Sequence, residues 1–348
     1  MNAIASITRP AVRAADLACA REVARIDRYL AEQPDASPFH RPAWSIGVAR
    51  GTGHRAHYLL AEKNGRLAGA LPLTEVRSRL FGPSLVSAAF AVDGGILAED
   101  EQAAEALAAT APVLASRLGC LGVELRGGQL PETWHRQEGV YASFARDLPP
   151  KEEAMLKAIP RKQRAEVRRA LSSGLQAEVG GDLAAHYQVY SESVRNLGTP
   201  VFPAALFAQV LAALGEDADI LTVRHDGRAV ASVLSLYWRG TVYPFWGGGT
   251  KRARALNAND FLYFALMRHA AARGCTRFDF GRSKLGTGPY AYKKNWGFEP
   301  RPLTYACWGA HRDTNPLSTR YRLQVAAWKR LPLWLANRLG PQIAKGLG

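Results

Sequence analysis

Apolar residues recur at helical spacing over residues 16–33, at Leu17, Ala20, Val23, Ala24, Ile26, Leu30 and Ala31, and predict a first helix capped by Asp16. Pro34 to Pro38 break it, and residues 40–48 predict a short second helix that carries Trp44. Runs of strand length over 56–62 and 67–76 flank Asn64-Gly65, a strong hairpin signal. A strand through Gly95-Ile96-Leu97 and an alanine-rich helix over 101–118, bent or split by Pro112, come next. Strands over 122–126 and 140–148 complete a mixed α/β half.

The second half follows the same order. Residues 160–174 form a helix opened by Pro160 and closed by Gly174. Residues 182–197 and 204–214 predict a helix pair. Strands over 219–225 and 229–238 meet across Asp226-Gly227, and a third runs over 242–246. A helix over 258–273 and strands over 277–280 and 303–308 close the series. The repeat is one of pattern and not of sequence identity.

The length of 348 residues suggests two domains, at 1–150 and 151–315, with a helical segment over 316–348. Apolar content of 47% with 22% charged residues indicates a globular chain. The formal net charge of +15 favours anionic partners such as RNA, phosphorylated carriers or an anionic membrane face. No zinc-finger or RNP-type signature accompanies it, and no DNA partner is expected. Cys19, Cys120, Cys275 and Cys307 are far apart, so neither a metal site nor a disulfide framework is expected. Residues 1–10 lack the apolar core of a signal peptide, and no run of about 18 apolar residues appears. The expectation is a cytoplasmic protein.

The chemistry concentrates at Cys275–Pro300. Phe278-Asp279-Phe280 has strand character, after which Gly281, Gly286, Gly288 and Pro289 predict a loop. Arg282, Ser283 and Lys284 stand where strand gives way to loop, a position suited to facing a ligand from a rigid base. Asp279 shares that strand end. Beyond the loop, Tyr290, Tyr292, Lys293, Lys294 and Trp296 alternate aromatic and cationic character. A lysine held among aromatics can steady a developing negative charge, so Lys293 is the candidate catalytic residue. If the segment is extended, Lys294 points the other way.

Two further stretches join the candidate site. In the helix over 160–174, Arg161, Arg164 and Arg168 share one face, and Lys162 and Arg169 another, against the single acid Glu166. The helix is either a solvated face or a phosphate-binding one, the latter through Arg164 and Arg168. Trp246-Gly247-Gly248-Gly249-Thr250 reads as strand, loop and approach to a helix, an arrangement that holds phosphates on backbone N–H groups. Gly248, Gly249 and Asn259 are candidates for contacting a phosphate-bearing ligand, with Trp246 in the substrate set; that the ligand is a donor is what the resemblance given below implies. Asn257 and Asn259 also read as plain helix caps. Histidines occur singly, His269 reads as a packing or surface residue, and no serine-nucleophile elbow is present. Direct transfer to an acceptor nucleophile needs no such group.

The string F-D-F-G-R-S followed by Y-A-Y-K-K-N-W-G-F-E resembles the closing signature of Fem-type acyltransferases, which are tandem GNAT-fold proteins. Within them it is most similar to the FemAB-related proteins associated with the exosortase/PEP-CTERM system. The matching positions are Asp279-Phe280-Gly281-Arg282, then Lys293 three residues before Trp296-Gly297. Arg164-x-x-Val167-Arg168-x-Ala170-x-x-x-Gly174 resembles the family motif that opens the second domain, and Asn259-Asp260-x-Leu262 stands at its helix start. The acetyl-CoA fingerprint Q/R-x-x-G-x-G/A is absent, and so is a long helical arm for tRNA.

The resemblance implies an α/β fold of two tandem GNAT-like domains, each a mixed, mostly antiparallel sheet flanked by helices. It implies acyl or aminoacyl transfer to an amine or hydroxyl of a cell-envelope or exopolysaccharide precursor. The donor is a cosubstrate, aminoacyl-tRNA or acyl-CoA, and no cofactor is held. The acceptor is a small-molecule or lipid-linked glycan or peptide precursor. The rival from another class is a scaffold that binds an anionic glycan carrier without catalysis. Tyr321 to Leu335 interleaves Trp328 and Trp334 with leucines and cations. It suits either an interfacial helix pair at an anionic membrane, on the inner face, or packing onto the second domain.

Overall fold

The computed structural model describes residues 9–78, 81–310 and 322–348. The chain divides into two compact units: Met1–Gln137 with Thr304–Asp313 and Gly346–Gly348, and Glu138–Leu303 with Thr314–Lys345. The boundary expected near residue 150 thus falls at 137/138, and residues 304–313, expected in the second domain, belong to the first.

In the first unit the elements run β1 (Ala11–Ala14), α1 (Ala20–Glu32), α2 (Pro42–Thr52), β2 (Arg55–Lys63), β3 (Arg66–Ser78), β4 (Gly82–Ser87), β5 (Leu97–Ala98), α3 (Glu101–Arg117) and β6 (Gly122–Arg126). Asn64 and Gly65 turn the β2–β3 hairpin with φ of 50° and 75°, the left-handed pair that a tight hairpin needs. β4 and β6 pair in parallel at Leu85–Val123 and Val86–Glu124. Helix α3 buries Ala103, Leu107, Ala111 and Ala115, each four residues on from the last, against this sheet. It runs on through Pro112, so the proline does not split it. α1 begins at Ala20, because Asp16 closes a local turn on the Ala18 amide instead of capping the helix. Of the strand expected at 95–97, only Leu97 joins a ladder, with Ala98 on β3.

The second unit contains most of β7 (His135–Asp147), then α4 (Glu152–Ala158), α5 (Arg161–Leu171), β8 (Gln176–Gly180), α6 (Leu183–Leu197), α7 (Ala204–Leu214), β9 (Ala218–His225), β10 (Arg228–Trp238), β11 (Thr241–Gly249), α8 (Ala258–Ala272), β12 (Arg277–Lys284) and α9 (Gly288–Asn295). β13 (Pro300–Gly309) follows, and its Tyr305–Gly309 stretch pairs with β6 in the first unit's sheet. α10 (Arg322–Trp328) and α11 (Leu333–Ala344) end the chain's helices. Within the second unit the strands follow the order β7-β12-β11-β10-β9-β8. Asp226 and Gly227 turn β9 into β10 with the expected positive φ, and Arg239-Gly240 does the same for β10 and β11.

α5, α8 and α9 pack with this sheet in one core that holds Val167, Ala170, Leu262, Phe264, Phe278 and Trp296. A single carboxylate ties the three helices. Asp260, in the first turn of α8, accepts hydrogen bonds on Oδ1 from Gln163 Nε2 of α5 (2.7 Å), Tyr292 OH of α9 (2.7 Å) and Trp296 Nε1 (3.3 Å). Burial raises its pKa above the ordinary value, and the three donors pull the other way.

Removing Asp260 strands three buried donors, each costing about 1–3 kcal/mol if left unsatisfied. Asp260→Ala is therefore expected to lower the melting temperature by several degrees, and Asp260→Asn, which keeps an acceptor oxygen, by less. Thermal unfolding that left Asp260→Ala level with the wild type would remove the carboxylate from this role.

Candidate functional site

β11 and β12 pair in parallel at only two positions, Thr241–Arg277 and Val242–Phe278. No further ladder joins them among the described residues, so the strands part beyond Val242 and Phe278. Tyr263 of α8 occupies the gap. Its ring centre is 4.7 Å from that of Phe280 on β12, and its hydroxyl lies 3.3 Å from where a Cβ on Gly247 of β11 would stand. The glycine run makes that approach possible.

Gly247, Gly248 and Gly249 lie inside β11, paired with Val233, Ser232 and Ala231 of β10. The loop expected here is a strand. A Cβ on Gly248 would collide with Ser193 of α6, and one on Gly249 would stand 2.6 Å from Asn259 Oδ1. These two glycines admit neighbouring helices to the sheet; they do not form an open phosphate cradle. Asn259 is not the cap of α8, a position taken by Asn257 at φ 51°. Asn259 Oδ1 is buried with no hydrogen-bond partner among the described residues.

The predicted loop after Phe280 is also ordered backbone. β12 continues to Lys284 through an irregularity in its pairing with β7 between Asp279 and Arg282. Gly281 (φ 67°) makes it, and its amide donates to Asp279 Oδ1 at 2.8 Å. A short turn then leads to α9, where Pro289 stands at the helix start. The segment read as extended is this helix. Lys293 and Lys294 still diverge, Lys293 being buried and Lys294 exposed, because successive helical residues point about 100° apart.

Lys293 Nζ donates to the carbonyl oxygens of Gly281 (3.2 Å) and Arg282 (2.9 Å), the two groups that the bulge turns toward α9. It lies 5.4 Å from the Phe144 ring centre and 5.5 Å from that of Phe280. Burial lowers its pKa from 10.5 to about 7; Asp279 raises it, and Arg282 lowers it further. An ammonium has three donors, so one remains for a third oxygen.

The other sequence-predicted residues separate into two groups. Arg282, stacked over Tyr141 at 4.6 Å, and Tyr290, edge-on to Phe144 at 5.3 Å, gather near Lys293. Ser283 pairs with Ala142 on the core-facing side, and its Oγ is buried without a partner among the described residues. Arg164 is half-buried with Nε on the Ile159 carbonyl (3.2 Å), and Arg168 is exposed on α5. By contrast, Trp246 and Trp296 belong to the core. Trp246 is packed at 4.8 Å on Phe207, Trp296 is fully buried, and neither can touch a substrate as placed. His269 is a surface partner of Asp219, as expected (2.7 Å).

Sequence reasoning missed two residues. Asp260 stood in the sequence only as part of Asn259-Asp260-x-Leu262, with no role of its own, because its partners are distant in sequence. Arg146 donates to the carbonyls of Ala158 (3.1 Å) and Trp296 (3.0 Å) and stacks over Phe298 at 4.3 Å, so it holds the end of α9 in place. Burial lowers its pKa to about 10.

Residues 161–294 match the family model described as an acetyltransferase (GNAT) domain. No curated protein matches the chain. Among solved structures, FemX is similar with a TM-score of 0.64 at 14% identity, covering 81% of this chain and 95% of its own. A tandem GNAT protein from the clavulanic acid biosynthesis pathway gives 0.54 at 14% identity, covering 87% and 99%. The C-terminal DUF2156 domain of a protein described as a lysylphosphatidylglycerol synthetase, from Agrobacterium fabrum, gives 0.57 at 14% identity, covering 90% and 96%. The second unit thus carries a GNAT domain, and the chain has the mixed-sheet α/β fold of tandem GNAT-like proteins.

Proposed function

We propose that this protein is an acyltransferase that moves an acyl or aminoacyl group to an amine or hydroxyl of a cell-envelope or exopolysaccharide precursor. The observation that carries the reading is Lys293, a buried amine held on two backbone carbonyls of the β12 bulge with one N–H to offer. The acceptor nucleophile attacks the donor carbonyl, negative charge grows on its oxygen and the Lys293 ammonium stabilises it; the intermediate then collapses, breaking the donor's thioester or ester bond, and the CoA sulfur or tRNA ribose oxygen leaves with the proton that the acceptor gives up. Arg282 and Tyr290 line the approach, Ser283 backs the strand with its hydroxyl buried, and Asp279 holds the bulge through the Gly281 amide. Tyr292 serves through its hydrogen bond to Asp260, which fixes α9. Arg164 and Arg168 on α5 meet the anionic part of the substrate.

The donor is aminoacyl-tRNA or an acyl-CoA. Incubation with each, in the presence of nucleotide-linked and lipid-linked glycans, tests the reading by mass spectrometry of the acceptor. One acyl or aminoacyl mass increment is expected. Glycan binding without any increment, whichever donor is supplied, would favour the scaffold.

Lys293→Met keeps the aliphatic stem and removes the charge. It is expected to lower turnover by about 10²–10³-fold, as loss of one oxyanion stabiliser does. Lys294→Met should cost far less. In the wild type, kcat/KM should fall as pH rises through about 7, where the ammonium deprotonates, and Lys293→Met should lack that limb. A limb that rises with pH in the wild type alone would make Lys293 a base instead.

The charge state can be checked without substrate. The folded pKa lies below the ordinary 10.5, so between about pH 7 and 10.5 the unfolded chain binds more protons than the folded one. Stability from this group therefore rises with pH across that window, and the penalty for burying the charge is fully present below it. Lys293→Met should gain most on the wild type below pH 7, and the advantage should shrink above pH 10. A melting-temperature difference independent of pH would mean that Lys293 is not a buried titrating amine.

The same reading includes contact with an anionic membrane through α10 and α11. α11 packs inward through Ala336, Gly340 and Ala344, and Asn337 Nδ2 donates to Ser191 Oγ of α6 at 3.2 Å. Its outer side and α10 leave Leu323 83% exposed and Trp334 68% exposed, interleaved with Lys329, Arg330 and Arg338. The part of the predicted 316–348 segment up to residue 321 lies outside the described residues. Among the described residues, no helix is long and apolar enough to cross a membrane. Trp334→Ser combined with Lys329→Glu and Arg330→Glu is expected to abolish sedimentation with phosphatidylglycerol vesicles and leave the melting temperature unchanged. Equal sedimentation of wild type and variant would exclude this face from membrane contact.

A further inference from the structure

The first unit holds a groove of about 850 Å³ that the acyl-transfer reading leaves unused. One wall is a stripe of α3, with Ala104, Ala108 and Pro112 toward the space and Glu101 and Glu105 at its rim. Small side chains on that stripe leave the volume open. The other wall is the 129–134 segment with Leu130, Pro131 and Trp134, and Trp308 of β13 completes the lining. Trp134 is buried in the core, and Trp308 is half-buried, so Trp308 offers ring surface. A concave, largely apolar space of this size with a few polar groups has the dimensions of a small-molecule site.

Its charge is opposite to that of the chain. The protein has 45 basic and 30 acidic residues, yet Glu101, Glu105 and Glu132 border the groove against Arg136 alone. Elsewhere in the same unit, Glu62, Glu75, Asp100 and Glu124 are all held in ion pairs. Glu101, Glu105 and Glu132 make no ion pair among the described residues. Glu101 and Glu105, four apart on α3, repel one another, a small cost that no cationic side chain offsets by pairing with either. Carboxylates at the rim and indole within repel phosphate and attract a cation with an apolar face, which a tryptophan ring receives through cation–π attraction.

We propose that this groove is a binding site for a small organic amine, protonated in solution, that carries an apolar or aromatic face. The inference stands on the first unit alone and does not depend on acyl transfer in the second.

Three isosteric probes of different charge test it: phenethylammonium, 2-phenylethanol and phenylacetate. Protein labelled with 5-fluorotryptophan reports on the groove, with the Trp308 signal assigned by Trp308→Phe. Phenethylammonium is expected to shift the Trp308 resonance saturably at millimolar concentration, with the other two binding more weakly. Glu101→Gln with Glu105→Gln should weaken phenethylammonium about tenfold, equivalent to about 1.4 kcal/mol. Both residues are exposed, so the fold tolerates the change, and an unaltered melting temperature confirms that. Equal binding of the alcohol would reduce the groove to a merely apolar crevice and overturn the proposal. Absence of any saturable shift, or a double variant that binds like the wild type, would do the same. Neither result bears on Lys293, whose test is turnover.

Discussion

The carboxylate of Asp260 is the constraint on which the second unit's site depends. It receives donors from α5 and twice from α9 while standing in the first turn of α8, so one oxygen fixes three helices. An acid there is favoured by the helix N-terminus and opposed by burial, and the upward pKa shows that burial wins. The hydrogen bonds make the burial tolerable. α9 carries both Tyr292 and Lys293, so fixing one fixes the other. The position of the amine is a consequence of a carboxylate it does not touch.

Hydrogen bonding at Lys293 is of a different kind. Its partners are backbone carbonyls exposed by a bulge, and a glycine at φ 67° is what allows the bulge. Carbonyl dipoles hold the amine in place but do not neutralise its charge as a carboxylate would. An amine paired with a buried carboxylate would stay charged at neutral pH and gain little from meeting an oxyanion. Held by dipoles alone and desolvated, its pKa sits near 7, where an approaching negative charge has the largest effect. That is the physical argument for reading Lys293 as more than a packing residue.

Local chemistry made some of this legible in the sequence. Asn64-Gly65 and Asp226-Gly227 turned as expected, because tight hairpins need two residues of positive φ and these dipeptides supply them. The regular helices were visible from their period. Glycine and proline misled elsewhere because each has two uses. Pro289 starts α9, yet beside Gly286 and Gly288 it read as part of a loop. Gly248 and Gly249 read as a loop too, although a strand takes glycine where helices press on both faces. Trp246 and Trp296 looked like ligand-facing aromatics, and only the packing of Phe207 and Asp260 against them assigns them to the core. The roles of Asp260 and Arg146 were not legible in sequence, although Asp260 lay in a motif, because the partners that matter are remote.

The two units show how one fold can separate its electrostatics. Each has a pair of parallel strands joined over only two residue pairs, β4 with β6 and β11 with β12. In the second unit the charged groups of the candidate site are Lys293 and, on the neighbouring α5, a run of cations. In the first, α3 presents Glu101 and Glu105 and the space beside it is acidic. A phosphate-bearing molecule is favoured by the first set of charges and opposed by the second, and an amine the reverse. Both arrangements rest on side chains carried by helices, which can change sign without disturbing the sheet beneath. Retaining the fold therefore says little about whether both units handle the same ligand, and opposite charges favour different ones.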